Sequence, residues 1–382
     1  MTRIKNILYL DIICMALLGC VDPFEVPSSK SNTNLLVVEG RIGDEETFIR
    51  LSRTTNLDGF GIGPEGFAFV QIEDELGSVI GQLNEIESGT YFLEVDLVIN
   101  EKYRVRIETT DREVYHSDYA TLISTPPISA LGVKIDSLAG SIDIELSTED
   151  PANDTRYYLW DYEETYEYNS RYKSLLERDG GNLVRRRDEN QIFVCWETDY
   201  SSDILLQTSI QLEKDIIANK PIVSYKLNET DKFDRVYSLL VNQYALSSDE
   251  YDFWSLLEKN SESPGTLFDP QPSQLSSNIQ CTSDPEKGVV GYIGASSKAQ
   301  RRVFVNSKDL PRNPAQVVSF CEERAVPLWQ VDAVARVVSN QNNVPLAIGP
   351  LGELEALFYT TRFCGDCREQ GGTNVRPSFW FE

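Results

Sequence analysis

Apolar and polar residues alternate in short runs along the first third of the chain, beginning at Leu35. In the clearest run, Tyr103, Val105 and Ile107 face one way, and the charged residues between them face the other way. Glycine, Asp and Asn turns separate the runs. Short strands at this spacing predict an immunoglobulin-like sandwich over residues 35–125. The predicted strands are Leu35–Glu39, Thr47–Ser52, Phe67–Asp74, Thr90–Val95 and Tyr103–Thr109.

A proline pair ends this region. Thr125-Pro126-Pro127 removes two backbone donors and enforces extended backbone, so we predict a domain joint there. Because β-type runs continue towards the C-terminus, residues 126–382 are predicted to form a larger β-rich domain that is fibronectin-III-like. The runs are Ser141–Leu146, Arg235–Tyr244, Val289–Ile293, Arg302–Val305 and Leu354–Tyr359.

One segment has helical rather than strand periodicity. Ser247 to Glu250 offers an N-cap with a glutamate three residues on, which is the pattern of a capping box. Tyr251, Trp254 and Leu257 then follow on one helical face. The sequence therefore predicts one short helix near residues 248–260.

An aromatic row occupies one face of a predicted strand, where Tyr158, Trp160 and Tyr162 stand at alternate positions. Such a row packs against a second sheet or stacks on sugars. Packing is the favoured interpretation, and a ligand face is the alternative. The acidic turn before it, residues 149–154, predicts an Asx-type turn, with a calcium site as the alternative.

The N-terminus has the order of a lipoprotein signal. Arg3 and Lys5 precede an apolar stretch, and Leu17-Leu18-Gly19 leads to Cys20. Asp11 interrupts the apolar stretch, which is shorter than the roughly 18 residues that a membrane span needs. We therefore expect residues 1–19 to be a signal peptide, Cys20 to carry the lipid that anchors the protein to a membrane, and residues 20–34 to be a flexible tether.

The charge of the chain narrows the range of partners. The formal net charge is −25 over 382 residues, and a nucleic-acid partner is not expected, because phosphate binding requires clustered lysine and arginine. Arg185-Arg186-Arg187 is the only basic run, and we interpret it as the solvated flank of a hairpin. The length predicts two or three domains.

Seven cysteines indicate an oxidising compartment. Cys14 leaves with the signal peptide and Cys20 takes the lipid, so five remain and at most two disulfides form. Long loops gain most from cross-linking, so we expect Cys321 to pair with Cys364 or Cys367, and Cys195 with Cys281 as the less certain second bridge. A redox pair or half of a zinc site at Cys364-Gly365-Asp366-Cys367 is the alternative.

Catalytic residues are not evident in the sequence. His116 is the only histidine, which excludes a site with several histidine ligands, and its polar surroundings favour a solvent-facing position at a strand end. A pair of carboxyl groups for glycoside hydrolysis stays open, since sequence does not give their separation. We expect a protein that is not an enzyme and has no cofactor and no metal.

Seven short motifs occur in a fixed order along the chain. They are Cys20-Val21-Asp22-Pro23-Phe24, Val37-Val38-Glu39-Gly40, Pro126-Pro127-Ile128, Tyr237-Ser238-Leu239-Leu240-Val241, Phe268-Asp269-Pro270 with Asn278-Ile279, Gly291-Tyr292, and Cys364-Gly365-Asp366-Cys367 ahead of Pro377-Ser378-Phe379-Trp380. In this order the chain resembles the domain-of-unknown-function 4249 family, over nearly the whole length that follows Cys20.

The resemblance implies a Bacteroidota lipoprotein, often encoded beside a TonB-dependent outer-membrane receptor. It implies an outer-membrane location, lipidation at Cys20 and an accessory or binding role for such a receptor, with no catalytic residues to carry over. A surface structural or adhesive protein is the alternative, and a glycan-active enzyme is less favoured. Asp136-Ser137-Leu138 also matches the O-glycosylation pattern of that phylum, which makes Ser137 a candidate modification site.

Overall fold

The structure is a computed structural model that describes residues 34–54, 63–262, 277–311 and 320–380. The predicted signal peptide, the predicted lipidation site Cys20 and the tether up to residue 33 lie outside these residues. β-Strands dominate the described residues, which confirms the mainly β class. The α-helices of the described residues are α1 (Ser248–Glu262), α2 (Val331–Ser339) and α3 (Arg362–Gly365).

The strands are mostly short, and many alternate between buried and exposed residues, as expected where one face of a sheet meets a core. The first nine are β1 (Leu36–Ile42), β2 (Glu46–Arg53), β3 (Gly63–Pro64), β4 (Phe69–Asp74), β5 (Val79–Glu87), β6 (Thr90–Glu94), β7 (Lys102–Glu108), β8 (Val114–Ser117) and β9 (Ala120–Thr121). The next nine are β10 (Ile128–Asp136), β11 (Ser141–Asp150), β12 (Tyr157–Asn169), β13 (Leu176–Asp179), β14 (Asn182–Arg185), β15 (Val194–Tyr200), β16 (Leu205–Thr208), β17 (Asp215–Lys226) and β18 (Val236–Ala245). The last six are β19 (Ile279–Cys281), β20 (Val289–Ala295), β21 (Lys298–Asn306), β22 (Arg324–Pro327), β23 (Asn343–Leu351) and β24 (Leu354–Thr361).

The N-terminal region forms one continuous sheet that closes almost into a barrel. Its main path runs β19-β8-β7-β4-β5-β6-β2-β1-β20, so residues 279–295 supply both end strands. Asn278 joins the two ends, because its Nδ2 donates to Ile293 O and its Oδ1 accepts from Ile293 N, both at 2.9 Å. The immunoglobulin-like sandwich predicted over 35–125 has two sheets, whereas the observed sheet is single. Alternation is common to both architectures and does not distinguish them.

The closing strand β20 runs parallel to β1, and the contact is unusually close at one register position. Gly291 lies opposite Val38. A Cβ on Gly291 would lie 1.9 Å from the Val38 carbonyl oxygen, and the φ of Gly291 is +123°. Only glycine fits a position with both restrictions. This glycine therefore permits the pairing that adds β20 to the edge of the sheet at β1.

The middle region is a two-sheet sandwich with the strand order of a fibronectin-III-like fold. A three-stranded sheet, β10-β11-β17, faces the sheet β15-β12-β18-β21, to which β16 adds at β12. The core between them includes Ile144, Leu146, Leu239 and Val241, each fully buried. The β12–β15 connection carries the β13–β14 hairpin, and the β18–β21 connection carries α1, β19 and β20. The second connection therefore reaches into the barrel and ties the two regions together.

The aromatic row of β12 belongs to this core. Tyr158 and Trp160 are completely buried, and Tyr162 packs against the cluster while partly exposed. Trp160 Nε1 donates to Gln243 Oε1 at 2.8 Å, and the Tyr158 hydroxyl donates to Asp215. The alternative of a ligand face is therefore wrong for Tyr158 and Trp160, since their rings are enclosed by the opposite sheet.

Helix α1 confirms the helix predicted near 248–260. Ser247 Oγ accepts from the Glu250 backbone N–H at 3.2 Å, which is half of a capping box. The Glu250 carboxylate does not complete the box, because it forms an ion pair with Arg41 of β1. Arg41 also donates to Ser296 Oγ at 3.1 Å and lies 4.9 Å above the Tyr244 ring. This buried ion pair joins the barrel to the sandwich.

The C-terminal segment is a small unit on the flank of the sandwich. Its sheet has the order β22-β24-β23. Val344 and Leu346 form a minor core with Ile192, which comes from the β12–β15 connection. Among the described helices, none is both long enough and apolar enough to cross a membrane.

A basic cleft as the candidate functional site

A cleft of about 850 Å³ opens where the sandwich, the β13–β14 hairpin and the C-terminal segment meet. The end of β14, the start of β15, the start of β18, the end of β21 and residues near the C-terminus supply its walls. We call this space the basic cleft. Its basic lining residues are Lys173, Arg185, Arg186, Arg187, Arg235, Lys308 and Arg376.

The charge of the basic cleft opposes that of the whole chain. Seven basic residues line it, against the three acidic residues Glu167, Asp188 and Asp234, a local balance of +4. The whole chain has a formal net charge of −25. Low-dielectric walls around a cluster of one sign focus the electric field inside a cleft. The basic cleft is therefore a local positive site on an acidic protein.

Arg186 forms the inner wall, and its guanidinium is held by neutral acceptors. Its side chain is 14% exposed, and the nearest described carboxylate, Glu177, lies at 4.0 Å. Nε and Nη2 donate to Ser174 Oγ at 3.2 and 3.0 Å, Nη2 donates to Leu176 O at 2.8 Å, and Nη1 donates to Asn190 O at 2.9 Å. Burial lowers the pKa of Arg186 below its ordinary value. The positive charge is thus fixed in place by neutral acceptors, and its counter-ion Glu177, at 4.0 Å, pairs more closely with Arg187, at 2.9 Å.

A second cavity of about 460 Å³ lies on the other side of the same wall, and Arg186 and Ile192 line both spaces. The other arginines of that cavity already have partners of their own. Arg368 forms a two-pronged ion pair with Asp366, at 2.7 and 2.8 Å, and Arg362 pairs with Glu369 at 2.8 Å. The basic cleft differs in that its seven basic lining residues outnumber its three acidic ones.

The outer rim carries exposed cations. Arg187 pairs with Glu177 at 2.9 Å, while the structure describes no ion-pair partner for Lys173, Arg185 or Lys308 in the ranges it covers. The basic run was interpreted as a solvated hairpin flank. That holds for Arg185 and Arg187, which are exposed, and it is wrong for Arg186, because carbonyl and hydroxyl acceptors draw its side chain inwards.

Two tryptophans lie at the base. Trp380 Nε1 donates to Glu167 Oε2 at 3.2 Å, and Glu167 also pairs with Arg235. Trp196 packs edge-on against Trp380 with ring centroids 6.5 Å apart. Trp196 is only 8% exposed, and its Nε1–H meets no acceptor among the described residues. Buried donors are almost always satisfied, so an orphaned one beside a cleft needs an explanation.

Two disulfides brace the walls. Cys321 pairs with Cys364, as expected for a long-range bridge, with Cα atoms 5.5 Å apart. Cys195 pairs with Cys367, with Cα atoms 5.7 Å apart, so the expected Cys195–Cys281 bridge is wrong. Cys281 is buried in the barrel on β19, whereas Cys195 lies in the sandwich on β15. Cys364 and Cys367 are therefore each bonded to a cysteine outside their own motif, so they form neither a local redox pair nor half of a zinc site.

The Cys195–Cys367 bridge acts directly on the basic cleft. Cys195 stands between Val194 and Trp196, both of which line it. The Tyr168 hydroxyl donates to Cys367 O at 2.9 Å and accepts from Gly372 N at 2.9 Å. These contacts fix the C-terminal segment that carries Arg376 and Trp380 against the sandwich.

Ser137 stands at the tip of the β10–β11 hairpin. Asp136 Oδ1 accepts from the backbone N–H groups of Leu138 and Ala139, each at 2.9 Å, and shapes the turn. Ser137 itself is exposed, and so is Leu138. A modifying enzyme would find this residue accessible.

The acidic turn is of the Asx type. Asp150 accepts from the backbone N–H groups of Ala152, Asp154 and Thr155 at 2.8 to 3.0 Å. Burial alone raises the pKa of Asp150, but the hydrogen bonds from Thr155 and Asp154 outweigh it and lower the pKa. Among the described residues, no cluster of His, Cys, Asp and Glu is arranged to hold a metal ion.

His116 lies in the barrel, on β8, and not in the basic cleft. Its Nδ1 is 3.1 Å from Thr282 Oγ1, and it is partly buried. Burial and then the Arg104 charge lower the pKa of His116, so the imidazole is neutral at neutral pH.

A family model for a domain of unknown function, DUF4249, matches residues 21–302, which is 282 of the 382 residues. The chain belongs to the DUF4249 family. The family match covers the barrel, the basic run of the hairpin and the sandwich up to residue 302, inside β21. It ends before Lys308, Arg376 and Trp380, so the C-terminal wall of the basic cleft lies beyond the matched segment.

No curated protein matches this member of the DUF4249 family. Among solved structures, it is similar to a crystal structure of trypsin-activated alpha-2-macroglobulin from Escherichia coli, at 12% identity and a TM-score of 0.17. The match covers 57% of this chain and 15% of the alpha-2-macroglobulin chain. At that TM-score the likeness carries no argument about fold or function.

Proposed function

We propose that the protein is a lipid-anchored binding protein of the outer membrane, which holds a small ligand in the basic cleft for a TonB-dependent receptor. The signal-like order of residues that ends at Cys20 supports the lipid anchor. The resemblance to the family supports a receptor as the partner. The geometry of the basic cleft supports the ligand site, and it is the main observation behind the proposal.

The size of the basic cleft suits a small molecule. Its volume of about 850 Å³ falls within the range of roughly 300–1,000 Å³ that is typical of small-molecule sites. A folded partner would instead need an interface of about 800 Å² per side. The basic cleft therefore favours a ligand over a docked domain.

The construction of the basic cleft also suits binding. The walls come from β15, β18 and β21 of the sandwich, and the Cys195–Cys367 bridge holds the C-terminal wall against them. Binding groups carried on rigid elements lose little conformational entropy when a ligand arrives. Arg185 and Lys308 have no ion-pair partner among the described residues, and Lys173 lies 5.8 Å from the centre of the Phe193 ring.

Two measurements test the anchor and the partner. For the anchor, labelled palmitate should be incorporated into the wild-type protein and not into Cys20→Ala. For the partner, the wild-type protein should copurify with a receptor barrel from solubilised outer membrane.

Deletion of the gene should reduce the uptake of one nutrient by the cells, and expression of the wild-type protein should restore it. An unlabelled wild-type protein, or a deletion that changes only attachment to surfaces, would refute the proposed function and favour an adhesive role.

A further inference from the structure

We propose that the ligand of the basic cleft is a small soluble molecule that carries at least two oxyanion groups, such as carboxylate, phosphate or sulfate. This inference rests on the proposed function, because it takes the basic cleft to be the ligand site. One oxyanion lies against the inner charge of Arg186, and a second is held by the rim cations Lys173, Arg185 and Lys308.

The inner position follows from Arg186. A buried charge is costly unless it is paired, and the bonds of Arg186 go to a hydroxyl and two carbonyls while Glu177 stands 4.0 Å away. Those bonds use four of the five guanidinium hydrogens and leave one Nη1–H. An oxyanion bonded to this hydrogen would bring negative charge closer to the guanidinium than Glu177 does.

The rim position follows from the three cations without described ion-pair partners. Lys173 and Arg185 flank the same β13–β14 hairpin, whereas Lys308 follows β21 of the sandwich, so the rim cations come from two segments. Charge-assisted hydrogen bonds from such groups to oxyanions are about twice as strong as neutral ones. A ligand with a single oxyanion would satisfy either the inner wall or the rim and leave the other uncompensated.

Trp196 contributes to the base of the basic cleft through its ring. The residue is 8% exposed and lines the basic cleft, and its ring packs edge-on against Trp380. Its Nε1 atom is itself buried, so the ligand contacts the ring and not the donor.

A small anion fits better than a polymer. The positive charge is confined to the basic cleft, while the chain as a whole carries a formal net charge of −25. An extended polyanion would meet repulsion beyond the opening. Anionic lipid headgroups share the oxyanion chemistry, and the experiment separates that source from a soluble one.

The test is calorimetric titration of the purified full-length protein with citrate, inorganic pyrophosphate and digalacturonate, with cellobiose as the neutral control. Vesicles of phosphatidylglycerol, with phosphatidylcholine as their control, form a separate arm. The cleft variant is Arg185→Glu with Lys308→Glu. Its matched control is Arg50→Glu with Lys214→Glu, which applies the same charge change at exposed residues outside the basic cleft.

At least one soluble oxyanion should bind saturably. Affinity should fall by about tenfold to a hundredfold in the cleft variant and by less than about twofold in the control. Raising the salt from roughly 0.05 to 0.5 M should weaken the same binding.

Three results would overturn the inference. If cellobiose binds and the anions do not, and if that binding does not depend on salt, the basic cleft is still a ligand site but its ligand is not an oxyanion. Binding to phosphatidylglycerol vesicles alone would replace the soluble ligand with a lipid headgroup. Failure of every soluble anion, or equal losses in the cleft variant and its control, would reject the assignment.

Discussion

Arg41 and Arg186 are arginines with similarly buried side chains and different partners. Arg41, at the junction of barrel and sandwich, meets the buried Glu250 carboxylate in an ion pair and lies over the Tyr244 ring. Arg186, in the basic cleft, meets neutral acceptors and has Glu177 no closer than 4.0 Å. Both side chains are close to equally enclosed, at 13% and 14% exposure.

The difference lies in the counter-charge. A closely paired arginine joins two regions and needs nothing further, whereas one whose nearest described carboxylate is 4.0 Å away leaves a positive field in the space beside it. Arg178 also lacks a carboxylate, but it donates to Val338 O and Asn340 O at the C-terminal end of α2, where the helix dipole supplies negative charge. Among the three, Arg186 is the arginine that lines the basic cleft.

The largest predicted effect comes from breaking the compensated pair. Glu250→Ala leaves Arg41 buried without a counter-ion, so we expect a loss of about 3–5 kcal/mol in the free energy of unfolding. Glu250→Gln should lose less, because it keeps hydrogen bonding. Denaturant unfolding measures both, with the exposed Glu353→Ala as control. A loss in Glu250→Ala no greater than in the control would contradict the role of this pair.

The two disulfides give the next effect. Removing Cys195–Cys367 by paired Cys→Ser substitution should lower stability by about 2–4 kcal/mol. The sequence separations are 172 and 43 residues, so loop entropy predicts that removing Cys321–Cys364 costs about 1 kcal/mol less. Calorimetric melting of both variants checks the order. If removing Cys321–Cys364 costs more, strain or packing, and not loop length, determines how much each disulfide stabilises the protein.

Asp366 predicts an acid-dependent loss. Burial raises its pKa, but the hydrogen bonds and charge of Arg368 outweigh burial and lower the pKa. A lowered carboxyl pKa gives stability that is present above the ordinary aspartate value of about 3.9 and is lost as the pH falls through the folded value. Asp366→Asn should cost about 1–3 kcal/mol at neutral pH. The difference from wild type should shrink below about pH 4; a gap that stays constant with pH contradicts this assignment.

The rim cations should contribute almost nothing to stability. Arg185→Glu with Lys308→Glu changes exposed side chains that have no described ion-pair partner, so the free energy of unfolding should move by less than about 1 kcal/mol. The same variant should lose the stabilisation that a bound oxyanion gives to the wild type. Thermal melting with and without citrate measures both effects. A large loss without citrate would assign these residues to the fold.

The smallest predicted effect on stability is that of a glycan at Ser137, because this residue is exposed on a turn. In a Bacteroidota host, mass spectrometry of the peptide that contains Ser137 should find an O-linked glycan, with little change in melting temperature. Recovery of that peptide in its unmodified form alone would reject the site.

Local patterns predicted much of this fold. Alternation located the longer strands of the barrel and the sandwich core, and the capping signal located α1, because both depend on neighbours in sequence. Short strands such as β9, β13 and β19 were missed. The closure of the barrel by β19 and β20 was missed as well, since pairing across more than 150 residues leaves no local trace. The second disulfide was missed for the same reason, because loop entropy ranks bridges without placing Cys195 beside Cys367.

The candidate site was partly visible in the sequence. A run of three arginines in a chain of net charge −25 is conspicuous, and it does line the basic cleft. The burial of Arg186 could not be predicted, since its acceptors Ser174 and Asn190 flank the run at a distance and become neighbours only when the hairpin folds. Nor does any pattern reveal that Trp196 lacks an acceptor.

Native mass spectrometry of the protein purified from its own host is the most direct test of the central claim. The wild-type protein should carry extra mass from a small ligand, and the released compound should be anionic with at least two acidic groups. Arg185→Glu with Lys308→Glu should lack that mass, while Arg50→Glu with Lys214→Glu should retain it. A neutral ligand, or equal occupancy in both double variants, would contradict the account.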